Sequence, residues 1–94
     1  MTKDTIVAVL ESEGIKSGAK GFELPEGREL DCFIRSSSEM VTVSRVCRVA
    51  LPKEFVTFEN RKGELFFFGY EDVIGFRIGL QETGKDRSAA GFFR

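Results

Sequence analysis

The sequence predicts a mainly β (α+β) fold: an N-terminal helix, then a strongly bent antiparallel meander or small β-barrel of about five strands. Three observations point there. Residues 39–80 hold four apolar runs, at 40–51, 55–59, 64–70 and 73–80, each of strand length and rich in Val, Ile or Phe. Asn60-Arg61-Lys62-Gly63 separates the second run from the third, and a four-residue loop containing Gly closes a hairpin. The run 40–51 is about twice the usual strand length, so in so short a chain it must bend and serve both sides of a small barrel.

In chain order, the first element is a helix over 4–13. Asp4 can cap it, and Ile6, Val7 and Leu10 share one face. Glu13-Gly14-Ile15 reads as a stop, with Gly in the left-handed position and Ile15 folding back on the last turn. The β-branched run Thr5-Ile6-Val7 pulls the other way, toward a strand over 5–10.

Residues 16–28 have loop composition around Gly18, Gly21, Pro25 and Gly27, with a short extended piece at 22–24. The strand 29–35 alternates. Leu30, Cys32 and Ile34 point one way, and Glu29, Asp31 and Arg35 the other, with Phe33 as the exception. The three serines 36–38 read as a polar connection.

In the long run, Val41, Val43, Cys47, Val49 and Leu51 share one parity, and so does Arg45. A charge in an apolar parity is costly unless it is paired or reaches water. A bulge at Ser44-Arg45 that sends the side chain outward resolves the conflict. The run 65–68 is apolar on both parities, which requires two covered faces or an intermolecular contact. In the last run Ile74, Phe76, Ile78 and Leu80 alternate with Val73, Gly75, Arg77 and Gly79. Residues 1–80 are read as one domain and 81–94 as a tail, whose Phe92-Phe93 pair either docks on this chain or a partner or stands idle.

Several kinds of chemistry lack their parts. The chain has no histidine, which removes imidazole acid/base work and the commonest metal ligand. Its only cysteines, Cys32 and Cys47, lack metal-ligand spacing and are read as reduced, half-buried thiols. Gly18-Ala19-Lys20-Gly21 is not a phosphate loop. Glu71-Asp72 is read as a solvated turn rather than a cation site. The expectation is no enzyme, no cofactor and no metal. Neither a leader peptide nor a membrane-spanning run is visible, so a cytoplasmic location with no membrane partner is expected.

What remains is binding. Ten Phe, with no Trp and a single Tyr, bring large apolar area without a polar handle. The leading expectation is a non-catalytic protein-interaction module that forms a homodimer through Phe66, Phe68 and Tyr70. The alternative rests on charge. The net charge is −1, yet residues 40–63 hold five basic and two acidic residues. Arg35, Arg45 and Arg48 would then hold a phosphate or carboxylate, with nearby Phe rings stacking a base of single-stranded nucleic acid.

Overall fold

A computed structural model describes residues 1–80. The chain forms α1 (Lys3–Ser12), β1 (Lys16–Gly18), β2 (Gly21–Glu23), β3 (Arg28–Ser36), β4 (Glu39–Ala50), β5 (Val56–Asn60), β6 (Leu65–Phe68), a 3-10 turn (Tyr70–Asp72) and β7 (Val73–Leu80). All strand pairings are antiparallel. The sheet curls strongly into a half-barrel of five strands, with one N-terminal helix.

Residue pairing explains the curl. Val46 faces Leu30 on one side and Asn60 on the other, and Val49 likewise faces Phe22 and Phe58. A strand residue has two sides, so β2 and β3 lie end to end along one flank of β4 while β5 takes the other. Leu24 N–H donates to Cys47 O at 2.9 Å and bridges the break. The staves are then β7, the broken strand β2/β3, β4, β5 and β6.

Three bulges bend these staves. Ser44 and Arg45 together oppose Asp31, because Leu30 pairs with Val46 and Cys32 with Val43. Cys47 is extra between the pairs Val46–Asn60 and Arg48–Glu59. Ile74 is extra between Phe33–Gly75 and Ile34–Val73. Each extra residue bends its strand and reverses the parity beyond it. Strict alternation therefore fails in two strands. In β4 the buried residues are Val43, Val46 and Val49. In β7 Val73 is buried and Ile74 is exposed, the reverse of the alternation.

The helix covers the concave side. Ile6 and Leu10 are fully buried in one cluster with Leu30, Cys32, Val46, Val49, Val56 and Phe58. Its cap is Thr2 rather than Asp4: Thr2 Oγ1 accepts from Thr5 N–H at 3.1 Å, and Asp4 lies in the first turn. The stop at Gly14 has the expected form. Gly14 has φ +77°, Gly14 N–H donates to Glu11 O at 3.0 Å, and Ile15 N–H to Leu10 O at 3.1 Å. Both ends are tied to the sheet. The N-terminal ammonium donates to Tyr70 O at 2.9 Å and Val73 O at 2.7 Å. Arg28 donates to Glu13 O and Glu13 Oε1, each at 3.0 Å.

The glycine-rich segment departs from its loop reading, because β1 and β2 form a small hairpin there. Gly21 makes it possible. Its φ is +111°, and a Cβ would stand 2.5 Å from Val49 O. Residues 81–94, with the expected tail and its Phe92-Phe93 pair, lie outside the described residues.

Candidate interaction surface

The hairpin β5–β6 decides which Phe rings face out. Asn60 N–H donates to Glu64 O at 3.1 Å, and Gly63 N–H to Asn60 O at 3.0 Å, with Gly63 at φ +84°. This is a three-residue loop, Arg61-Lys62-Gly63, with the left-handed residue last. It sets Phe58 opposite Phe66 and Thr57 opposite Phe67. Thr57 and Glu59 flank Phe58 on the outer face, so Phe58 and Phe66 go inward and Leu65 and Phe67 outward.

The expected surface of Phe66, Phe68 and Tyr70 is therefore on the other face. All three are half-buried and pack against the core. The Phe68 ring lies 6.1 Å from Phe58, and the Tyr70 hydroxyl donates to Pro52 O. Burial raises the pKa of that phenol. On β6 and just before β5 the outward apolar residues are Phe67 (59% exposed), Leu65 (54%) and Phe55 (42%); Met40, Val41 and Ile74 are exposed elsewhere. Phe55 and Phe67 meet edge to face, with centroids 6.0 Å apart. The parity of Thr57 and Glu59, carried across a loop ending in Gly63, is the signal in the sequence that identifies this face.

Backbone geometry adds to it. In an antiparallel ladder, hydrogen-bonded and non-bonded pairs alternate. The Asn60–Glu64 bond makes 58–66 and 56–68 the bonded pairs. Leu65 and Phe67 then direct their N–H and C=O groups away from β5. Among the described residues β6 pairs with β5 alone. The two residues with outward apolar side chains thus also present the free backbone edge.

The three arginines are not brought together. Arg48 is held between Glu23 Oε2 at 3.0 Å and Glu59 Oε1 at 2.6 Å, beside Leu65. Arg35 donates to Glu71 O at 2.8 Å and borders a cleft of about 540 Å³ with Ile34, Val41 and Phe68. Arg45 is exposed, with φ +58° at the bulge, and lines a second cleft of about 300 Å³ with Ser44, Asn60, Arg61 and Lys62. Arg61 and Lys62 were not among the residues expected there. The loop type that turns them toward Arg45 is visible only with the register in hand.

Cys32 is buried and Cys47 half-buried, both as free thiols. Burial first, and the neighbouring Asp31 carboxylate second, push the Cys32 thiol far up. A protonated, enclosed thiol is a poor nucleophile. Among the described residues, no group of three or more Cys, Asp or Glu could hold a metal ion, and no helix is long and apolar enough to cross a membrane.

No family model matches the chain, and neither a curated protein nor a solved structure matches it.

Proposed function

We propose that this protein is a non-catalytic interaction module that binds a second copy of itself through β6. The observation that carries the reading is the coincidence on Leu65 and Phe67 of outward apolar side chains and unpaired backbone groups. A β6 strand laid antiparallel on its two-fold mate would satisfy those N–H and C=O groups. It would also bring Phe67 and Phe55 of one protomer against Leu65 of the other, removing apolar surface from water. The Arg48 ion pairs with Glu23 and Glu59 would form the polar rim.

Sedimentation over the micromolar range tests this. The wild type is expected as a dimer and Phe67→Ser as a folded monomer. Equal masses for the two proteins would remove the proposal.

A further inference from the structure

We infer that the cleft at the Arg45 bulge binds a phosphate group. Three cationic residues, Arg45, Arg61 and Lys62, line it together with Ser44 and Asn60. Two of the three carry uncompensated charge. Among the described residues the Arg45 guanidinium and the Lys62 ammonium have neither an ion-pair nor a hydrogen-bond partner, whereas Arg61 is anchored to Glu29 Oε2 at 3.1 Å and Arg28 O at 3.1 Å. That anchoring leaves the Nη1 donors of Arg61 free. The nearby carboxylates are engaged: Glu29 by Arg61, Asp31 by Arg77 at 2.6 Å, and Glu64 by Asn60 Nδ2 at 2.8 Å. Glu29 and Asp31 are thus neutralised by arginines, while Glu64, bonded by a neutral amide, keeps its charge.

The backbone that carries these residues is also set in place. Asn60 Oδ1 accepts from Lys62 N–H at 3.0 Å and from Glu64 N–H at 2.9 Å, which fixes the loop carrying Lys62. Arg61 N–H donates to Arg45 O at 3.0 Å and ties that loop to the bulge. Arg45 itself occupies the left-handed region at φ +58°, where glycine would fit without strain. An arginine kept there trades backbone comfort for a guanidinium at the cleft wall. Two free positive charges match a phosphate, which carries up to two negative charges and several acceptor oxygens, better than a carboxylate with one. Inorganic phosphate compounds offer that doubly charged group in one place, whereas the backbone of a single-stranded nucleic acid offers one charge per phosphodiester and would need two successive phosphates to match both cations.

Titration calorimetry at low salt with pyrophosphate, and separately with a short single-stranded oligothymidylate, decides the matter. At least one probe is expected to bind, with affinity falling as salt rises. Binding of pyrophosphate alone assigns a compact ligand, and tighter binding of the oligonucleotide assigns a strand. Arg45→Gly and Lys62→Gln should each lower the affinity by roughly tenfold, the loss of one charge-assisted contact. Arg45→Gly should at the same time raise the thermal midpoint, because glycine takes the left-handed position without strain. Lys3→Gln, on α1, removes the same charge elsewhere and should leave the affinity unchanged. Failure of both probes to bind, equal affinity in the wild type and both cleft variants, or acetate binding as tightly as pyrophosphate would each overturn the inference.

Discussion

Phe67 stands edge-on to Phe55 on the outer face of the half-barrel, with ring centroids 6.0 Å apart and planes inclined at 62°. This is the edge-to-face arrangement that aromatic pairs prefer.

Phe67 and Phe58 sit on neighbouring strands and should respond in opposite ways to truncation. Phe58 is fully buried, and Phe58→Ala should destabilise by about 3–5 kcal/mol in chemical denaturation. Phe67→Ser, on the exposed face, should change the stability of the isolated protomer by no more than about 0.5 kcal/mol. Similar losses for the two would mean that Phe67 is buried within its own chain.

The helix is expected to be integral to the core. Leu10 is fully buried, so Leu10→Ala should cost about 2–5 kcal/mol. Thr2→Ala, which removes the cap hydroxyl, should cost about 1 kcal/mol. Urea denaturation followed by circular dichroism measures both.

Gly21 is expected to be the most sensitive glycine. Its positive φ alone penalises alanine by about 1–3 kcal/mol, and the contact with Val49 O adds to that. Gly27→Ala supplies the comparison. It shares the positive φ, but its Cβ would meet nothing within 4 Å. Gly21→Ala should lower the thermal midpoint clearly more than Gly27→Ala.

Stability should fall in alkali. The folded-state pKa of Cys32 is raised, so the folded chain keeps the thiol proton after the unfolded chain has lost it. The contribution is whole below the ordinary thiol value of about 8.5 and declines above it by up to about 1.4 kcal/mol per pH unit. The raised Tyr70 pKa acts with the same sign, beginning near the ordinary phenol value of about 10. Cys32→Ala should flatten the slope between these two values in denaturation curves taken across the range.

The elements were legible because their signals are local. The Gly14-Ile15 stop, the Gly63 turn and the Val/Ile/Phe runs act through their own backbone or immediate neighbours. Arg45 was informative for the same reason. A charge in an apolar parity predicts an outward turn, and the bulge opposite Asp31 supplies it. Cys47 and Ile74 gave no such warning. An apolar extra residue fits either parity, so only the pairing with β5 and β3 reveals the second and third bulges. The orientation of 65–68 was hidden similarly, since four apolar residues alternate without contrast. Arg35, Arg45 and Arg48 looked like one cluster in the sequence, but Arg35 lies on β3 opposite Met40, at the other end of the β3–β4 pairing, and Arg48 is taken up by Glu23 and Glu59.

Amide hydrogen exchange at β6, followed by NMR as the protein is raised from micromolar to near-millimolar concentration, tests self-association most directly. Leu65 and Phe67 carry the N–H groups directed away from β5. Their exchange should slow with concentration in the wild type and stay fast in Phe67→Ser, while Phe66 and Phe68, already paired with β5, change little. Leu65 and Phe67 amides that exchange fast at every concentration would contradict pairing through this edge.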